Sequence, residues 1–434
     1  MTAKLRARMG RRAPAFGAVV VMLAARAGAQ APPPAPPVQV RVTLEQAIDM
    51  ARAHNHALLA ARSTILQNRA QEVTANLRPN PVLLGDTQFL PLLDPGNFSR
   101  DYVDNTAQFD VGLSYLFERG EKRQHRLQAA RAQTAVTTAQ VDDNERTLTF
   151  NVASQFTAAV LAQSDLDFAQ QDLVSFQQTV DIAQRRFTDG AMSEGDLLKI
   201  KLQLLQFQMD VSSARLARLQ ALATLRQLVG YESVPEGYEV SGILAHQAVT
   251  LGVDDLRTLA LRSRPDLRAA QLAVTAAQSQ RALAKANGKR DITAQASYSH
   301  VAATSSASLF ANIEVPIFDR NQGEIARTQY AITQSEELSI EQSSIVMTDV
   351  TNAYEGLHTS EQVVQLYESG YLKQAQDSRD ISQYAYQRGA ATLLDFLDAE
   401  RSYRATELAY RQTLAAYMVA LEQLRQSVGT RSLP

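Results

Sequence analysis

The feature that most constrains this chain is an echo. Residues 185–200 read RRFTDGAMSEGDLLKI, and residues 386–403 read YQRGAATLLDFLDAERSY. Phe187 aligns with Tyr386, Gly190 with Gly389, Ser193 with Thr392, Asp196 with Asp395 and Leu198 with Leu397, each pair 199 positions apart. LRQLVG at 225–230 returns as LRQSVG at 424–429 with the same offset. Upstream, NHALLAA at 55–61 answers RPDLRAA at 264–270, and Phe89 answers Tyr298, now 209 positions apart. The drift between offsets predicts a longer loop in the first copy, at 91–105. A period of about 200 residues marks a duplicated domain, since solenoid repeats run at about 20–50.

Each copy reads as helix, two strands, long helix, turn, helix. The first helix opens at Thr43, whose pairing with Gln46 makes a capping box, and runs to residue 78, where Pro79 and Pro81 stop it. Residues 121–188 hold no proline and predict a single helix, followed by another over 193–229. In the second copy helices are expected over 254–287 with a bend at Pro265, over 322–387 and over 392–428. At about 1.5 Å per residue, the 121–188 helix is roughly 100 Å long, so the two shorter helices must stack end to end beside it. Phe396, Tyr403, Tyr410, Tyr417 and Leu424 recur every seven residues, as do Leu197, Leu204 and Val211 in the first copy. That period favours a left-handed supercoil. Gly190 and Gly389 fall where a helix ends in a left-handed turn. Ser193 with Asp196, and Thr392 with Asp395, cap the next helix. The repeated motif therefore marks two hairpin tips of an elongated bundle.

Four segments of period two lie between the helices: 82–89, 105–117, 291–301 and 308–317. In the clearest, Phe109, Val111, Leu113, Tyr115 and Phe117 alternate with Gln108, Asp110, Gly112 and Ser114. Strands of about 10 residues, apolar on one face and small or polar on the other, suit an outer-membrane barrel with a wet interior. Four strands cannot close, and lipid does not tolerate an open edge. The smallest bacterial barrels have about 8 strands, so the chain must share its wall with sibling subunits. Two or three copies both satisfy that requirement.

At the front, Lys4, Arg6, Arg8, Arg11 and Arg12 precede an apolar run over 13–25, and Ala27-Gly28-Ala29 offers a cleavage site. Residues 1–29 read as a secretory signal peptide, followed by a proline-rich leader over 30–42. The remaining divisions are a first repeat over 43–230, a connector over 231–252, a second repeat over 253–429 and a tail over 430–434. The net charge of −2 carries no basic footprint for nucleic acid. Cysteine is absent, which removes disulfides, thiolate metal sites and a lipid-bearing Cys. No H-E-x-x-H, phosphate-binding glycine loop or G-x-S-x-G is present, so no enzyme, cofactor or metal site is expected. His54 and His56 are two apart and face different sides of a helix.

The duplicated plan and the two G-x-x-[ST]-x-x-D tips resemble the outer-membrane efflux channel (TolC-like) family over nearly all of the chain after the leader. Within it, EVPIFDRNQGEIA at 314–326 and FERGEKRQHR at 117–126 look most like the cobalt–zinc–cadmium (CzcC-like) heavy-metal branch. The resemblance implies a mainly helical fold with a small β part. It also implies a homotrimer with a shared 12-stranded barrel in the outer membrane of a Gram-negative bacterium, above a long coiled-coil tunnel through the periplasm. It implies a passive exit duct of a tripartite pump for divalent heavy-metal cations, served by a periplasmic adaptor and an inner-membrane pump of the proton-driven RND type. Drug efflux or type I secretion, and in a different class a soluble periplasmic scaffold, are the competing readings. By resemblance Asp395 and Asp398 ring a closed periplasmic entrance, where a carboxylate ring favours cations. Tyr386 and Asp196 look like partners in a link holding neighbouring tip helices shut, and Ala391 stands where the family has a gate arginine. Gly190, Ser193, Gly389 and Thr392 mark the tips an adaptor would touch.

Overall fold

The computed structural model describes residues 40–246 and 252–432; the signal peptide and all but the end of the leader lie outside these. The described residues belong to one unit, Val40–Pro434. Its strands are β1 (Arg41–Val42), β2 (Val82–Gln88), β3 (Gln108–Phe117), β4 (Glu239–Val240), β5 (Ile292–Val301) and β6 (Thr304–Ile313). Its helices are α1 (Leu44–His54), α2 (His56–Ala75), α3 (Arg100–Asn105), α4 (Lys122–Thr188), α5 (Glu194–Val229), α6 (Val253–Ser263), α7 (Pro265–Asn287), α8 (Gln322–Leu366), α9 (Leu372–Gln387) and α10 (Leu393–Val428).

The proline-free stretch folds as one helix of 67 residues. Two expected helices are instead broken. The first divides at Asn55, which ends α1 in an extended conformation and caps α2 by accepting from the Leu58 N–H at 3.0 Å. Its counterpart Arg264 makes the same break ahead of Pro265, where proline disfavours helix in the residue before it. The stretch 322–387 also breaks. A single wide turn over Tyr367–Tyr371 separates α8 from α9, with Gly370 at φ 134°, a conformation that glycine reaches without a Cβ clash.

β2, β3, β5 and β6 form one antiparallel sheet in that order. The register sets Leu83 opposite Leu113, Val111 opposite Tyr298 and Ala296 opposite Leu309, so one apolar face is continuous across the sheet. Leu83, Val111, Leu113 and Leu309 on that face are exposed; among the described residues no helix covers it. Gly112 stands on the other face, where a Cβ would come within 2.9 Å of the Ala296 carbonyl. The fourth strand begins four residues earlier than its alternation suggested. Ala302 and Ala303 form the two-residue turn with φ of 48° and 59°, an arrangement usually signalled by Asn or Gly. Pro316, lacking an N–H, is left beyond the strand's end. The longer loop between β2 and β3 is present and contains α3, which is why β3 starts at 108 rather than 105. The last leader residues pair in parallel with the connector, as β1 against β4. Neither segment carries enough alternation to predict two-residue strands.

The core is distributed along the bundle rather than gathered in one place. Ile48, Val152, Phe156, Leu225 and Val229 pack α1, α4 and α5 together. Leu256, Val346, Val350, Tyr417 and Leu424 join α6, α8 and α10. At the far end Phe176, Ile200, Phe207, Tyr386 and Phe396 unite helices of both repeats. The heptad stripe of α10 is thus a packing seam: Phe396, Tyr417 and Leu424 are buried.

Candidate gate at the hairpin tips

Both tips are built alike. In the first, the Gly190 N–H bonds the Phe187 carbonyl and the Ala191 N–H bonds the Arg186 carbonyl. In the second, Gly389 bonds Tyr386 and Ala390 bonds Ala385. The glycines have φ of 73° and 76°, where a Cβ would be strained. Ser193 Oγ accepts from the Asp196 N–H at 3.1 Å, and Thr392 Oγ1 accepts from the Asp395 N–H at 3.2 Å. Each cap turns a long helix back on itself.

The four acidic and phenolic side chains here have different surroundings. Asp395 accepts from the Thr392 hydroxyl at 2.6 Å and the Thr392 N–H at 3.1 Å; the hydroxyl and then the amide hold it below the usual carboxylate range. Asp196 accepts from the Ser193 hydroxyl at 2.9 Å and from Lys199 Nζ at 3.2 Å, which lower it in that order. Asp398 takes no part in a cap. Its side chain is 72% exposed and lies 3.8 Å from Arg401 on its own helix. Tyr386 is buried, its ring stacked 5.4 Å from Phe396. Burial pushes its phenol above the ordinary value, Arg186 opposes that and Asp196 adds to it. Tyr386 and Asp196 line one tip cavity of about 560 Å³, but no hydrogen bond joins them within the protomer, and among the described residues the Tyr386 hydroxyl has no hydrogen-bond partner.

Two contacts between the repeats were not visible in the motif. Arg186 reaches from the last turn of α4 and donates to the Tyr386 carbonyl at 3.1 Å, with its guanidinium 5.5 Å over the Tyr386 ring. Deeper in, Arg404 of α10 bonds Asp172 of α4 at 2.8 Å and Asp210 of α5 at 2.6 Å, while lying 4.1 Å over the Phe207 ring. A signal existed for the first. At the 199 offset Arg186 aligns with Ala385, a departure of one copy from the other.

The outer edge of α5 carries a second unforeseen feature. Leu198, Leu202, Leu205, Met209, Leu216 and Leu219 are all exposed, spaced by fours and threes with Ser212 filling the gap. This is an a/d seam awaiting a helix. On the opposite flank of the bundle, Ile381 and Tyr384 of α9 and Tyr371 beside it are exposed as well. Among the described residues no three His, Asp or Glu side chains group as metal ligands, and no helix is long and apolar enough to cross a membrane.

A four-stranded segment of barrel wall with open edges, mounted on helical hairpins that end in capped tips, defines an outer-membrane channel subunit with a long periplasmic part. The outer membrane efflux protein profile matches residues 47–231 and again 256–430, so the chain belongs to that family. It is a passive exit channel and not an enzyme. Members are the outer-membrane components of tripartite efflux pumps, which implies a trimer with adaptor and inner-membrane partners. Three copies of the four-stranded sheet then close a 12-stranded barrel. The cation efflux protein CusC of Escherichia coli K12 is 26% identical over 406 residues, covering 87% of this chain and 82% of CusC. A solved CusC structure shares the fold with a TM-score of 0.74 at 21% identity, over 90% of this chain and 93% of that one. The cobalt-zinc-cadmium resistance protein CzcC of Cupriavidus metallidurans is 22% identical over 89% and 90% of the two chains. The pyoverdine export protein OpmQ of Pseudomonas putida is 25% identical over 89% and 84%.

Proposed function

We propose that the chain is the exit duct of a heavy-metal cation pump, with its closed gate at the hairpin tips. Asp398 carries this reading: it is the tip acid with no capping duty, and three copies of it beside Asp395 would ring a narrow entrance with six carboxylates. Such a ring attracts cations and raises some of its own pKa values through like-charge repulsion. Tyr386 and Asp196 would complete the closure between neighbouring hairpins. Gly190, Ser193, Gly389 and Thr392 shape the turns that a periplasmic adaptor would grip, and the driving pump would be of the proton-coupled RND type. The repeats at 43–230 and 253–429 each supply one hairpin and two strands, behind a signal peptide at 1–29.

The cargo reading rests on relatives named for cation efflux and for cobalt, zinc and cadmium resistance, each aligned over most of both chains. Siderophore export is the second reading, favoured by the comparable match to OpmQ. Deleting the gene should sensitise the host to divalent heavy metals and leave siderophore release unchanged; the reverse pattern would select the second reading. In planar bilayers Asp398→Ala should raise the closed-state conductance and weaken cation selectivity. Unaltered values would remove Asp398 from the gate. The lipid-facing surface of the barrel is the exposed apolar face that contains Leu83, Val111 and Leu309.

A further inference from the structure

We propose that Arg186 is a positioning residue of the gate, latching the second hairpin of each protomer onto the first. The inference rests on the reading of the tips as the gate. Its ground is the place where the guanidinium sits. Arg186 lies in the last turn of α4, and its Nη1 donates to the Tyr386 carbonyl in the last turn of α9 at 3.1 Å. Two helix C-termini therefore converge on one cation. Each end carries roughly half a negative charge from its macrodipole, so bringing them together without a cation is unfavourable. Arg186 offsets both ends, and its planar face adds a contact 5.5 Å from the Tyr386 ring centroid. A lysine offers the charge but neither the fork nor the flat face.

The contact is sparse, which suits a latch. Among the described residues, the next polar cross-link between the hairpins is Arg404 with Asp172 and Asp210. The interface between the two arginines is apolar, formed by Phe176, Leu197, Ile200 and Phe396. Arg404 is deeper and bonded twice; Arg186 holds the tip by one hydrogen bond and one stacked ring. The arrangement also runs one way. Phe187, the counterpart of Tyr386, is 36% exposed where Tyr386 is 7%, and Ala385, the counterpart of Arg186, offers no cation in return. The latch thus belongs to the junction within a protomer.

The test uses the whole trimer and the absence of native cysteine. Spin labels on Glu194→Cys and Ala390→Cys, both exposed near the two tips, report the hairpin separation as the shortest distance in a dipolar measurement. Arg186→Ala should lengthen or broaden that distance and raise closed-state conductance several-fold, and Arg186→Lys should restore part of each. Arg186→Gln replaces the alanine variant if the latter does not assemble. An unchanged distance distribution in an intact trimer overturns the latch, even where Asp398→Ala alters conductance and so upholds the gate. A widened distance with unchanged conductance upholds the latch and counts against the tips as the gate.

Discussion

The first repeat runs its long helix unbroken for 67 residues, whereas the second interrupts the equivalent helix at Gly370. The aligned position in the first copy is Gln171, an ordinary helix residue. Near the middle of the bundle, where the shorter helices of each copy meet end to end, the copies share one joint with different chemistry. Asn55 Nδ2 donates to the Leu228 carbonyl at 2.9 Å, and its counterpart Arg264 donates to the Ser427 carbonyl at 3.3 Å. Leu228 and Ser427 are themselves 199 residues apart. In both copies a glycine after the last helix makes room for this joint: a Cβ on Gly230 would come within 2.8 Å of His54, and one on Gly429 within 3.2 Å of Arg264. The first copy uses a neutral side chain here and stays straight. The second uses a buried cation, and its long helix is interrupted between that joint and the tip. Duplication preserved the construction, and the differences set out a stiff arm and an articulated one.

That contrast can be broken most forcefully at Arg264. It is buried and bridges Asp266 at 2.5 Å and Asp349 at 2.9 Å, while Arg146 lies 3.6 Å from Asp266. Arg264→Ala leaves Asp349 without its cation and Asp266 with Arg146 alone, and should cost about 3–5 kcal/mol, the range for breaking a buried pair. A fall in the thermal midpoint of the purified trimer checks it. Burial pushes Asp266 up, yet the Arg264 contacts outweigh it and leave the carboxyl lowered. Its contribution is therefore present above the ordinary carboxylate range and is lost as pH falls through the lowered value.

The next effect has the opposite sign in pH. Glu400 of α10 faces Asp172 of α4, Arg379 and Asp380 of α9, and Arg404 of its own helix; burial first, then the Asp172 charge, push it up to about 7. A raised carboxyl contributes stability that is complete below about 4.5 and lost as pH rises through about 7. The packed hairpins should loosen by on the order of 2 kcal/mol across that window, and Glu400→Gln should flatten the slope. Equal melting profiles for the two proteins between pH 5 and 8 would remove Glu400 from the contact that packs the hairpins together.

At the bend itself, Gly370→Ala forces a side chain into φ 134° and should cost about 1–2 kcal/mol. Gln171→Gly in the straight arm should cost about 1 kcal/mol through helix propensity alone. Hydrogen exchange across 367–371 and 168–174 reads both; faster exchange in neither variant contradicts the division into arms. Of comparable size is Asn55→Ala, which removes one helix cap and one side-chain bond for about 1–2 kcal/mol. A loss as large as that of Arg264→Ala would show that the two joints are not different in kind.

The tips and the strands were legible because their causes are local. A glycine followed by a hydroxyl–acid cap is written in seven residues, and alternation in β3 and β5 is written in ten. Asn55, Gly370 and the Ala302–Ala303 turn were not, since asparagine or glycine within a helical pattern is tolerated and Ala-Ala signals no turn. The heptad stripe of α10 pointed to a seam, but the exposed seam of α5 looks the same in sequence as a buried one. Arg186 and Arg404 needed the packing of both repeats before their partners could be named. Tip residues such as Asp395 and Asp196 carry caps that the motif announced, and the gate proposed for them would be a duty separate from those caps.

The sheet of a single chain is incomplete, with β2 and β6 as open edges. Native mass spectrometry of the protein extracted from outer membranes in detergent tests that directly. The mass of three protomers, lost only together with strand content, is the expected result. A folded monomer stable in detergent-free buffer, with Leu83, Val111 and Leu309 shielded from solvent, would contradict it.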